Sequence, residues 1–291
     1  MVFHPIKIED RNKLIPYLSC SKLIDMGFCS LYSIKNSFFP EYTLYKDMLI
    51  LRMKYGEQTA YAHPLSSRKI THSDIEDFLQ YFDEKKIIID YIPEDEAEIY
   101  SNISGYKTDI ISFDKYSDYF SFSKDFTDKN RSGHPRKYTD LRSFITHYEP
   151  KIQTICKNNI DDCRLLFDRW CFGRNCSLCA YGCEKKLQNV LFDEWEFLPC
   201  KGIIVYTDGE PQGYLIGEEN GETALILYGK PAGRQNGLNV YMHIMLIEQC
   251  FPHAKYVNFS PDSGMDGLRA FKNKFTPYIK IKKYYCELTK I

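Results

Sequence analysis

The stretch TALILYGK at 223–230, PAGRQNGLN at 231–239 and VYMHIMLIEQCF at 240–251 decides the architecture. The first piece is a run of aliphatic residues closed by a glycine, the pattern of a strand. The third is apolar on nearly every side, which water tolerates only inside a core, so it reads as a buried helix. Between them lies a glycine-bearing loop. Such a loop offers several backbone N–H groups to an anion at the positive end of the following helix. Gly233 and Gly237 let the backbone turn sharply and approach a ligand closely, and Arg234 adds a charge suited to phosphate.

Upstream, KGIIVYTD at 201–208 and PQGYLIGEE at 211–219 flank Asp208-Gly209, a turn pair that hairpins favour. A second turn at 219–221 leads into the strand at 223, giving a three-strand meander. Downstream, KYVNFS at 255–260 is a short strand. GMDGLRAFKNKF at 264–275 places Leu268, Phe271 and Phe275 on one face of a helix, and Tyr278 to Leu288 closes the order β-β-β-α-β-α-β. The N-terminal half repeats it less cleanly, with strands near 47–54 and 58–63, a helix at about 74–83 and a strand at 86–92. Ser73 and Glu76 suggest a capping box there, with Ile75, Phe78, Leu79 and Phe82 as the buried stripe. A helix at about 94–103 and a strand near 107–113 follow. The expected fold class is therefore α/β, two tandem copies of one architecture with mixed sheets flanked by helices. The expected division is 1–115, a connecting segment with helices at 116–200, and a second core at 201–291.

The bulk numbers agree. With 291 residues, 44% apolar and 26% charged, the chain can build two modest cores. Its formal charge of −1 gives no global field for nucleic acid or an anionic membrane. The start MVFHPIKIED has no signal-peptide pattern and no run of about 18 apolar residues occurs, so a cytoplasmic protein without a membrane span is expected. Eleven cysteines in that compartment argue against a disulfide framework.

The segment Arg234-Gln235-Asn236-Gly237-Leu238-Asn239 resembles the acyl-CoA pyrophosphate loop of GNAT N-acyltransferases, Arg/Gln-x-x-Gly-x-Gly/Ala, with Asn239 in place of the last small residue. In the first copy the corresponding PLSSRKITH at 64–72 holds no glycine, so donor binding is expected in the second copy alone. A longer likeness runs through 256–284. Tyr256, Asn258, Asp262, Gly264, Gly267, Leu268, Arg269, Lys272 and Pro277 match the closing motif of the phosphatidylglycerol lysyltransferase C-terminal-domain family. That resemblance implies a double GNAT fold and kinship to enzymes that move aminoacyl groups from aminoacyl-tRNA to lipid or peptidoglycan acceptors. The membrane portion of the characterised lysyltransferases is not part of the likeness. The family's Arg-Glu after the asparagine is Phe259-Ser260 here, and Gly229 precedes Lys230 where an acidic residue is expected.

The expected donor site is thus Gly233 to Asn239, for acyl-CoA or aminoacyl-tRNA, with a small-molecule or peptide amine as acceptor. Lys230, Asn258, Arg269 and Lys272 are candidate substrate-binding residues. For Arg269 and Lys272, one helical turn apart, a basic exposed face is the competing reading. Asp262 is the carboxylate left to orient or deprotonate an amine, or a helix cap. Tyr284, beside Tyr285, is a candidate general acid or an edge-strand packing residue. Cys171, Cys176, Cys179 and Cys183 form a C-x4-C-x2-C-x3-C run, read either as a structural zinc site, ahead of iron–sulfur, or as thiols packed as small apolar groups. The stretch from Lys124 to Arg142 reads as a solvated linker, since aspartates interrupt its basic residues, or as a weak tRNA surface. Two functions compete: a GNAT-type acyl or aminoacyl transferase, and a non-catalytic binding or regulatory protein on a degenerate GNAT fold.

Overall fold

Ile203, Val205 and Leu215 face one side of a sheet while Ile204, Tyr214 and Ile216 face the other, the alternation that a pleated strand imposes. Both faces of this sheet are therefore covered. In the computed structural model, which describes residues 1–128, 135–172, 183–233, 235–275 and 277–291, the elements run as follows. The first part holds β1 (His4–Pro5), α1 (Arg11–Leu18), α2 (Phe28–Ser33), β2 (Glu41–Tyr45), β3 (Met48–Tyr55), β4 (Gln58–Ala62), α3 (His72–Leu79), β5 (Lys86–Pro93) and β6 (Tyr106–Ser112). Next come β7 (Asp118–Phe122), α4 (Ser123–Thr127), α5 (Pro135–Tyr148), β8 (Lys151–Thr154), α6 (Ile160–Cys171) and α7 (Glu184–Asp193). The last part holds β9 (Lys201–Thr207), β10 (Glu210–Asn220), β11 (Thr223–Pro231), α8 (Leu238–Cys250), β12 (Tyr256–Asn258), α9 (Asp266–Asn273), β13 (Ile279–Ile281) and β14 (Lys283–Lys290).

Two mixed sheets result, in the orders β1-β2-β3-β4-β5-β14-β6 and β13-β7-β12-β11-β10-β9-β8. α3 and the turn after it cover the outer face of the first sheet through Phe78 and Phe82. Between the sheets lies a shared core in which Leu51 and Met53 of β3 meet Tyr214 and Ile216 of β10, together with Leu14, Phe28, Leu166 and Leu191 from α1, α2, α6 and α7. The far face of the second sheet carries α5 and α8. α8 is apolar all round because α4, α5, β9 and β10 surround it. Each of its buried aliphatic side chains contributes roughly 1.5–3 kcal/mol.

The two copies exchange their closing strands. β7, which follows β6 of the first copy in sequence, lies in the second sheet between β12 and β13, with Ser121 opposite Val257 and Tyr119 opposite Lys280. β14 lies in the first sheet between β5 and β6, where Cys286 faces Ile89 on one side and Ile110 on the other. The single strand expected from Tyr278 to Leu288 is accordingly two, and the chain crosses from sheet to sheet at Lys282. Lys283 fixes the crossing: its buried ammonium reaches Asp25 at 2.6 Å and Asp118 at 2.9 Å. Tyr284 and Tyr285 sit on an interior strand, not an edge.

Three local expectations also change. The first-copy helix starts earlier, with Thr71 as its cap: the Thr71 N–H donates to Asp74 at 2.9 Å and Thr71 Oγ1 accepts from the Asp74 N–H at 3.3 Å. Arg68 holds the same aspartate, which is why Thr71 and Asp74 form the box in place of Ser73 and Glu76. The segment at 94–103 is a 3₁₀ turn over Glu94–Tyr100. In α9, Leu268 is exposed while Lys272 is buried, so the basic exposed face expected there does not exist.

Candidate active site at the split of β11 and β12

β11 pairs antiparallel with β10 along its length, but on the other side it meets β12 only through Thr223, Ala224 and Leu225. A bulge is the cause. Gly217 faces Ile226 and Ile216 faces Tyr228, so Leu227 is an extra residue that bends β11 away. On the partner side, Ser260 turns the chain after β12 in a left-handed conformation (φ 67°), and its hydroxyl donates to the Ile226 carbonyl at 2.7 Å. The rest of β11 is left without a strand beside it. In the first copy the equivalent pair is closed. Tyr61 and Ala62 pair with Ile89 and Asp90 at the end of β4, and the His63 N–H extends the ladder to the Asp90 carbonyl at 2.8 Å. The following loop is also occupied, with the Arg68 guanidinium bound to Asp47 and Asp74.

At the C-terminal end of β11 the loop reaches α8 through Gly237, the N-cap, at φ 90°. A Cβ there would lie 2.3 Å from the Asp140 carbonyl and 2.7 Å from Phe144 Cβ, so both conformation and space demand glycine. The cap has no side chain to occupy the first N–H groups of the helix, of which that of Leu238 donates to the Gln235 carbonyl at 3.3 Å. Gly233, Gln235, Asn236, Gly237 and Asn239 line an open pocket of about 520 Å³, together with Arg169, Trp170 and Lys274. Lys274 pairs at 3.6 Å with Asp140. Leu238 points into the core. Arg234 lies outside the described residues.

The protein itself engages the residues expected to bind substrate. Lys230 is buried, donates to both oxygens of Glu184 at 2.7 and 2.8 Å, and lies 4.1 Å above the Trp170 ring. Glu184 thus supplies the acidic partner that Gly229 lacks. It also accepts from Gln188, whose own oxygen accepts from the Tyr214 hydroxyl at 2.5 Å. Asn258 donates to the Lys22 carbonyl and to Asp118, both at 2.8 Å, and so ties the copies together. Lys272 donates to the Phe259 carbonyl; burial lowers its pKa to about 8 although Asp118 and Asp262 favour the charge. Arg269 bonds Asp262 at 3.1 Å.

Asp262 is fully buried. Burial would raise its pKa, but Arg269, the Tyr119 hydroxyl at 2.7 Å and the Gly264 N–H at 2.8 Å outweigh that and hold the carboxyl at about 2. It does not cap α9, whose N-cap is Met265. Such a carboxylate orders the turn after β12 and is a poor proton acceptor at neutral pH. Of the cysteine run, Cys171 and Cys183 are half-buried at the ends of α6 and α7, while Cys176 and Cys179 lie outside the described residues. Among the described residues no group of three or more His, Cys, Asp or Glu side chains is placed to hold a metal, and zinc has no support from them.

Reasoning from sequence missed a cleft between the copies. A cavity of about 320 Å³ opens where β11 leaves β12, with Leu227, Tyr228 and Ser260 on one wall and Met53, Tyr55 and Tyr91 on the other. Asp90 and Tyr284 line its continuation. Burial pushes the Asp90 carboxyl up to about 6, against the Tyr91 N–H that holds it down from 2.8 Å. The available signal was one aspartate interrupting the apolar run KIIIDYI.

The model of the family described as phosphatidylglycerol lysyltransferase, C-terminal, matches residues 31–287. The chain belongs to this family. Among solved structures, a conserved protein of unknown function from Bacteroides thetaiotaomicron VPI-5482 superimposes with a TM-score of 0.90 at 19% identity, covering 99% of each chain. L-PGS from Bacillus licheniformis gives 0.67 at 14% identity, over 98% of this chain and 93% of its own. A tandem GNAT protein from the clavulanic acid biosynthesis pathway gives 0.53 at 10% identity, over 98% of both. These likenesses establish the tandem GNAT fold for this lysyltransferase-family chain. No curated protein matches it in sequence. Among the described residues no helix is long and apolar enough to cross a membrane.

Proposed function

We propose that the protein is a GNAT-type acyl or aminoacyl transferase acting on an amine acceptor. The observation that carries this reading is the one-sided opening of β11 from β12, present in the second copy and closed in the first. At one end of the opened strand is the glycine loop, where Arg169, Lys274 and the α8 N-terminus suit the phosphates of acyl-CoA or the 3′ end of an aminoacyl-tRNA. At its mouth is the cleft between the copies, where an amine would meet the carbonyl. The amine nitrogen attacks the thioester or ester carbon, a C–N bond forms, the C–S or C–O bond breaks, and the amine proton leaves with the thiol or hydroxyl. Holding both reactants at one opening supplies much of the rate, since effective molarities for oriented partners reach about 10⁵ M or more. In this reading Asp262, Arg269, Lys230, Asn258 and Lys272 position the walls, and Tyr284 remains the candidate acid at the cleft.

One observation favours the second reading, a binding protein that does not catalyse: Asp262 is locked by three donors and poorly suited to take a proton. Donor binding and turnover separate the two. Acyl-CoAs or aminoacyl-tRNA should raise the melting temperature of the wild type, and the rise should vanish in the double variant Arg169→Ala, Lys274→Ala. Transfer of labelled acyl or aminoacyl group to an amine should accompany it. Donor binding without transfer to any amine supports the second reading, and no shift with any donor removes the first.

A further inference from the structure

The cleft between the copies is two contiguous cavities that share Asp25, Tyr55, Tyr91 and Pro261. The one at the β11 opening is walled largely by Ile24, Leu31, Ile34, Phe38, Met53 and Leu227. The one beyond it, about 280 Å³, changes character: Asp90 and Lys283 line it with the rings of Phe113, Tyr116 and Tyr284. An apolar passage thus leads from the opened strand to a charged, aromatic end built by the first copy and the exchanged strand.

The charges at that end do not balance. Lys283 bridges Asp25 and Asp118, and among the described residues Asp90 has no cation within ion-pair distance. Asp25 and Asp90 therefore face this partly desolvated space with one ammonium, which Asp118 shares from behind the wall, an arrangement that a further cation would relieve. Ring faces beside it add cation–π attraction. The geometry is also maintained against strain. β5 carries an extra residue at Asp90-Tyr91, opposite Tyr285, and Tyr91 takes φ 58°, uncommon for a bulky side chain. That bulge turns Tyr91 toward Tyr55, whose hydroxyl it meets at 2.9 Å in the cavity wall. Bulges of this kind re-aim side chains beside sites.

We infer that this cleft binds an aliphatic diamine, or a side chain of that type, with one amine at the opening of β11 and a second ammonium against Asp90 and Asp25. The methylene chain lies along the apolar passage. The identity of the first amine as the acylated one rests on the transferase reading; the ammonium subsite does not. Acylation would consume the charge of the first amine and leave the second ammonium unchanged on its carboxylates.

Calorimetric titration of the full chain, with no donor present, tests the inference using 1,5-diaminopentane and pentylamine. The diamine should bind at least tenfold more tightly, and Asp90→Asn should erase the difference. Phe113 is half exposed, so Phe113→Lys should be tolerated; it would place an ammonium at the cavity mouth and should also erase it. Equal affinity for the two amines in the wild type, or a preference that survives in both variants, overturns the subsite. If the diamine preference holds while no donor binds, the transferase reading fails and the subsite stands. If donors bind and the preference is absent, the reverse is true.

Discussion

Glu218 reaches from β10 into the N-terminus of α2, where its carboxylate accepts from the Cys29 N–H at 2.9 Å and the Ser30 N–H at 3.1 Å. Burial nevertheless dominates and raises its pKa to about 7. The unfolded chain releases this proton near the ordinary glutamate value of about 4.3. Between these values the folded state binds more protons, so stability falls as pH rises from about 4.5 to 7 and stays lower above, by a cost on the order of 3 kcal/mol. Glu218→Gln, which resembles the protonated acid, should therefore flatten the melting temperature across that window relative to the wild type. Identical slopes in thermal melts from pH 5 to 8 would rule this out. Gly27 is part of the same contact, since a Cβ there would come within 2.0 Å of Glu218 Oε1. At this scale the sequence motif was legible as a set of residues but not as a set of roles. Lys230 and Asp262 were marked by the family pattern, yet what each touches depends on Glu184, Tyr119 and Arg269, which local spacing does not place. The carboxylates that gather around Lys283 were invisible because Asp25 and Asp118, which bond it, lie more than 150 residues before it in the chain.

Among elements, α8 and its loop were readable because every determinant is local: a strand, glycines, and a run with no polar face. Gly237→Ala should destabilise the chain by roughly 3 kcal/mol, since it adds both left-handed strain and a contact with the Asp140 backbone. It should also remove any donor-induced melting shift. Urea unfolding that differs by less than about 0.5 kcal/mol would show that the loop can relax. The opening of β11 was not readable, because the bulge at Leu227 is defined by its register against β10, and Ser260 by its bond to Ile226. α9 misled for a related reason. Its three apolar positions follow helical spacing, but Asp262, itself bonded by the Tyr119 hydroxyl, holds Arg269, and Lys272 and Phe275 turn inward while Leu268 turns outward.

For the whole molecule, element order sufficed to expect two copies, while sheet membership did not follow from it. β7 is buried at four successive positions and β14 alternates only near its end, and nothing local says which sheet each enters. Their exchange makes the first sheet incomplete without residues 283–290 and the second incomplete without residues 118–122. Deleting 283–291 should abolish the cooperative melt of the entire chain, and a synthetic peptide of that sequence should restore part of it. A truncated chain that melts as sharply and at the same temperature as the full one would show that the sheets are independent.

The exchange also bears on how the chain reaches its native state. Joining β5 to β14 closes a loop from Pro93 to Lys283, so the first copy cannot finish before nearly all of the second has been made. High sequence separation of this kind slows folding. The edges of β5 and β6 stay unpaired in the meantime, a surface on which a neighbouring chain's β14 can dock. Concentrated refolding should therefore favour dimers with swapped β14, and the two halves can be inherited or lost only together.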